Sequence, residues 1–126
     1  AVEDLPGEWN RRYKQLLGIE PTTDAEGCLQ DVHWSEGLFG YFPSYLLGHL
    51  ISAQLSEAME TEIGAPEQHI ASGDVTPMLS WLRQNVHGVG RALNAEDLVQ
   101  QVTGRPLDST AFLRHLISKL KALAPL

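Results

Sequence analysis

The sequence predicts an all-α protein of about six helices, one of them long and central and preceded by a loop rich in glycine and aromatics. Two observations carry this. Apolar residues recur at three- and four-residue steps through the periodic segments, and no run alternates convincingly enough for a strand. Prolines and glycines punctuate the periodic stretches at their ends. At 126 residues the chain suits one domain, or one piece of a larger one. A folded chain of this length buries roughly two-thirds of its surface, enough for a core.

Leu5, Trp9, Tyr13, Leu16 and Leu17 share one helical face, and Gly18 and Pro21 end that helix. Residues 22–38 read as loop, with a short turn near Asp24–Leu29. Pro43 opens the long helix, which runs to about Ile63 before Gly64. Its early turns (Tyr45, Leu46, Leu47, Leu50, Ile51) are apolar nearly all round, and its last turns carry Glu57, Glu60 and Glu62. The first half is therefore expected to be buried, His49 with it, and the second half exposed. A short helix follows at 66–71. The next covers 76–86, with Met78, Leu79, Leu82 and Val86 on one face. Asn94 is positioned to cap a helix over 95–102, with Asp97 three residues on. Asp108 is positioned to cap the last helix, whose stripe is Leu113, Leu116, Ile117 and Leu120.

Charge excludes some functions. The net charge is −7, with 11 acids against 3 bases up to residue 63 and 5 against 6 beyond it. With no basic stripe, nucleic acid is not an expected partner. An acidic surface also repels anionic membranes, and no apolar run approaches the ~18 residues of a spanning helix. The lone Cys28 cannot form an internal disulfide, which fits a cytoplasmic setting. There is no phosphate-binding glycine loop, no CxxC and no HExxH, and the five histidines never pair four apart on a helix face.

One segment stands apart: GCLQDVHWSEGLFGYFPSYLLG, residues 27–48. Asp31 and His33 lie two apart, a spacing at which a carboxylate can orient an imidazole. Tyr41 follows just ahead of Pro43, at the mouth of the long helix. His33 and Tyr41 could both donate hydrogen bonds to one developing oxyanion. The same residues also fit a structural Asp–His pair and ordinary core tyrosines. A Ser35–His33–Asp31 triad can be drawn on paper, but no GxSxG elbow frames the serine. A second class of function, a non-catalytic all-α interaction module, would show a large apolar patch and no convergent polar cleft.

Gly27, Gln30, Asp31, His33 and Trp34 spell GxxQDxHW, followed by GLFGYFPSYLLG at 37–48. With WLRQNVHGVGR (81–91) and TGRPLDSTAFLRHLISKL (103–120), this pattern resembles the thermostable (Taq-type) carboxypeptidases, a family of zinc-dependent metallocarboxypeptidases. The resemblance implies a mostly helical enzyme several times longer, with an HExxH helix and a further glutamate ligand upstream. Residues 1–126 are then expected to be a single helical C-terminal segment that holds no metal ligand and is inactive alone. The full enzyme is expected to be a homodimer that binds zinc and removes C-terminal amino acids from peptides. By analogy with helical HExxH peptidases, His33 and Tyr41 are expected to act on the substrate carbonyl. Asp31 would orient His33, Gln30 would support it or touch substrate, Trp34 would form a wall, and Tyr45 would line the pocket.

Overall fold

The computed structural model describes residues 1–124. Among them lie six α-helices, joined by short 3-10 turns and loops, and no strand. Contacts group the chain into two compact units, residues 1–43 and 44–126. No described helix is long and apolar enough to cross a membrane.

In the first unit, α1 spans Leu5–Leu17. Pro6 sits in its first turn, where its fixed φ is already helical and its missing N–H would have had no partner. Gly18 ends the helix at φ +70°, a left-handed geometry that glycine adopts without strain. Trp9 and Tyr13, one turn apart, stack with ring centroids 5.3 Å apart. On the polar side Glu8 accepts from Arg11 Nε and Nη2 at 2.7 Å each, and from Arg12 Nε at 2.6 Å. These bonds, Arg11 first and then Arg12, lower the Glu8 carboxyl from 4.5 to about 2. After α1 the chain turns at 23–29, where the Asp24 carbonyl accepts from both Gly27 N–H and Leu29 N–H, near the expected turn.

The second unit contains all but the first residue of α2 (Pro43–Ile63), with α3 (Pro66–Ser72), α4 (Thr76–Leu82), α5 (Ala95–Thr103) and α6 (Thr110–Leu123). Its deepest polar residue is Gln54, 0% exposed. Gln54 Nε2 donates to the Pro106 carbonyl at 3.1 Å, and its Oε1 accepts the Asp108 N–H at 2.8 Å. One turn on, Glu57 accepts from Arg105 and from Arg114 on α6, at 2.6 and 2.9 Å. Gln54 and Glu57 therefore pin the 104–109 connection and α6 to the middle of α2. Asn94 caps α5 as expected. Its Oδ1 accepts the Asp97 N–H at 2.9 Å, and its Nδ2 donates back to the Asp97 carboxylate at 2.8 Å. Asp108 accepts the Thr110 N–H at 2.7 Å, which starts α6 and holds that carboxyl below its usual range.

Three expectations change. The early turns of α2 are not buried: Tyr45, Leu46 and Leu47 are about half exposed, and the residues of α2 that are buried are Gln54 and Met59. The unit gathers its core where the 104–109 connection and α6 meet α2, past the apolar first turns. His49 is exposed too, stacked 6.0 Å from Phe112. The fourth helix stays α-helical only to Leu82 and continues as a wider π-turn over Arg83–His87. There the Gly88 N–H donates five residues back, to the Arg83 carbonyl at 2.8 Å. A Cβ on Gly88 would stand 2.9 Å from that oxygen, so the wide turn closes only over glycine.

Gln54→Ala strips two backbone groups of their partner. It is expected to lower the unfolding free energy of the second unit by about 2 kcal/mol in urea denaturation, against about 1 kcal/mol for losing the cap in Asn94→Ala. For Glu8, a carboxyl held below its ordinary value stabilises above 4.5, and the stabilisation is lost as pH falls toward about 2. Amide shifts of residues 5–12, followed by NMR over that range, are expected to report loosening of α1. In Glu8→Gln that titration should vanish.

Candidate functional site

The aromatic loop is shaped by a series of local turns. Cys28–Gln30 and Trp34–Glu36 are 3-10 turns, with Cys28 buried. Gly37 at φ +73° closes the second turn, and the Leu38 N–H donates back to the His33 carbonyl at 2.9 Å. Gly40, at φ +75°, turns the chain again immediately before Tyr41. Two left-handed residues within four positions bring residues 41 and 42 back over residue 33, a path that side chains with a Cβ would strain.

Asp31 and His33 form the pair that the spacing allowed. Asp31 Oδ1 accepts the His33 backbone N–H at 2.9 Å and lies 2.6 Å from His33 Nδ1. One carboxylate oxygen thus fixes both the main chain and the ring of the same histidine. An ionised carboxylate only accepts, so Nδ1 carries the proton and the other ring nitrogen faces away from Asp31. The pair is largely sheltered, with side chains 10% and 16% exposed for Asp31 and His33.

Tyr41 stacks on the imidazole, centroids 5.2 Å apart and planes 27° apart. Phe42 stands across the same imidazole at 5.8 Å and 84°. Tyr41 remains 44% exposed, so it is not sealed in a core. The structure therefore brings together Asp31, His33 and Tyr41. The sequence reading gave Phe42 no part at His33; its signal was its position beside Tyr41.

Trp34 packs edge-on to Trp9 at 5.8 Å and tilted against Phe39 at 6.0 Å. With Leu5, Trp9, Arg12 and Tyr13 it lines a cavity of about 520 Å³, where Trp9 Nε1 is buried without a hydrogen-bond partner. The Gln30 side-chain amide donates to the Ala25 carbonyl and is committed to its own loop. Tyr45 belongs to the second unit, half exposed on the first turn of α2. Ser35 does not join the Asp–His pair; its hydroxyl donates to the Val32 carbonyl at 2.6 Å. Among the described residues no three His, Cys, Asp or Glu side chains gather as a metal-binding group. These residues do not fit as the holder of a catalytic metal, whatever the chain completes.

Similarity to known proteins is extensive. Residues 1–120 match the carboxypeptidase Taq (M32) metallopeptidase family. Carboxypeptidase 1 of Bacillus subtilis is 42% identical over 123 residues, covering 98% of this chain and 25% of the relative. Thermostable carboxypeptidase 1 of Thermus thermophilus is also 42% identical, over 98% of this chain and 24% of its own length. Among solved structures, the M32 carboxypeptidase of Deinococcus radiodurans R1 superposes with a TM-score of 0.90 at 35% identity, covering all of this chain and 26% of that one. The chain spans about a quarter of the length of the curated relatives it matches. The family resemblance carried by GxxQDxHW is thereby borne out, and the chain belongs to the carboxypeptidase Taq (M32) metallopeptidase family.

Proposed function

We propose that this chain is the C-terminal segment of a zinc-dependent metallocarboxypeptidase that removes C-terminal amino acids from peptides. On this reading the segment supplies one wall of the active site and is inactive without the rest of the enzyme. The observation that carries the reading is the Asp31–His33–Tyr41 cluster, its imidazole and phenol rings 5.2 Å apart, in a chain of a carboxypeptidase family.

The chemistry follows from the two donors. Addition to a peptide carbonyl puts negative charge on its oxygen, and preorganised donors aimed there stabilise that charge more than they stabilise the ground state. The Tyr41 hydroxyl donates in its neutral form. His33 Nδ1–H is held by Asp31, so His33 donates from Nε2 when the ring carries both protons. Asp31 orients that ring. Trp34 forms a wall. Gln30, through its bond to Ala25, acts as a support. The metal is zinc, and with no ligand set among the described residues the chain's share is to bind and orient substrate. The enzyme is a cytoplasmic homodimer. A lone buried Cys28 favours a reducing compartment, and half-exposed apolar residues along α6 are the kind of surface that subunits cover.

In the full-length enzyme carrying this chain, Tyr41→Phe and His33→Ala are each expected to lower kcat about 10²–10³-fold on an N-blocked dipeptide, with a much smaller change in KM. Metal content should stay unchanged. Unaltered kcat in both variants removes the cluster from catalysis. The chain alone, supplied with zinc, is expected to release no amino acid.

A further inference from the structure

We infer that Phe42 is a positioning residue for His33, a role that rests on the reading of His33 as a carbonyl donor. Asp31, Tyr41 and Phe42 each restrain the His33 imidazole. Asp31, 2.6 Å from Nδ1, sets which ring nitrogen points inward and which outward. Tyr41, nearly parallel at 5.2 Å, blocks tilting out of the ring plane on one face. Phe42, perpendicular at 5.8 Å, packs crosswise on the same imidazole and restrains it from a second direction.

The backbone explains how consecutive residues reach the same ring in different ways. Gly40 at φ +75° turns the chain back toward residue 33 immediately before Tyr41 and Phe42. Tyr41 then meets the imidazole plane to plane and Phe42 meets it crosswise. Phe42 itself is 60% exposed, so its ring adds little to the core and its work is local.

The consequence is kinetic. A donor that must sit within a fraction of an ångström of an oxygen is weakened by ring motion long before the fold is weakened. In the full-length enzyme Phe42→Leu is expected to lower kcat about tenfold with KM within about twofold, while Phe42→Tyr, which keeps the ring, retains activity. Long-range proton–nitrogen NMR of His33 provides a readout independent of catalysis. The wild type should show one tautomer with Nδ1 protonated, and Phe42→Leu an averaged pattern. Wild-type kcat in Phe42→Leu, an equal loss in Phe42→Tyr, or an unchanged His33 spectrum in Phe42→Leu would each overturn the role. If Phe42→Leu fails to fold, Phe42→Met keeps bulk without an aromatic plane and is judged by the same criteria. Full kcat in His33→Ala would sink the donor reading, while the His33 spectrum would still test the hold of Phe42 on the ring.

Discussion

The second unit depends on a single neutral amide. Gln54 is wholly buried, and both ends of its side chain bond backbone across about fifty residues of sequence, to Pro106 and Asp108. A charged residue there would lose its hydration, and an apolar one would leave the connection into α6 without partners. Gln54 satisfies one donor and one acceptor at once and so sets where the 104–109 connection lies. Arg105 and Arg114 then fall within reach of Glu57, three residues on from Gln54 on α2. These ion pairs are partly solvated and add modestly; the buried amide decides the geometry that lets them form.

The first unit uses the same economy on a smaller scale. Asp31 satisfies two groups of His33 with one oxygen, where Gln54 satisfies two distant segments. The difference matters for function. Both amide ends of Gln54 are consumed by structure. Asp31 holds His33 through its backbone N–H and its Nδ1, beside a half-exposed tyrosine. Tyr41 stacks on that imidazole at the surface, a geometry compatible with both readings that the spacing of Asp31 and His33 left open; the catalytic one is the reading proposed above.

The helices were legible because their signals are local. Apolar periodicity, Gly18, Pro43, Asn94 and Asp108 act within a few residues of where they sit, and the structure uses each of them. The burial of α2 was not legible, because periodicity reports which residues are apolar and not what covers them. Leu46 and Leu47 look like core and stand half exposed, while Gln54 looks like surface and is the most buried residue of the helix. The π-turn before Gly88 was hidden for a related reason: a glycine marks a helix end but not the width of its last ring. At the site, Asp31 and His33 could be paired from an i, i+2 spacing. The return of Tyr41 and Phe42 could not, since it depends on left-handed turns at both Gly37 and Gly40. Gln30 matched the family pattern, yet its amide had a carbonyl of its own loop within reach.

The same contrast bears on the chain as a whole. Exposed large apolar residues occur in both units, and two groups of them lie in the second unit: the first turns of α2, and one stripe of α6 with Leu113, Leu116, Ile117 and Leu120. Spacing of i, i+3, i+4 and i+7 is what a helix shows toward a partner element. A chain one quarter the length of its relatives has most of their surface-covering mass outside it. On the proposed reading the donors and the metal then belong to different stretches of one polypeptide, and the active site exists only where those stretches meet. On that reading the loop around His33 presents a donor, and a donor needs a rigid frame whether or not the metal lies on the same stretch of chain.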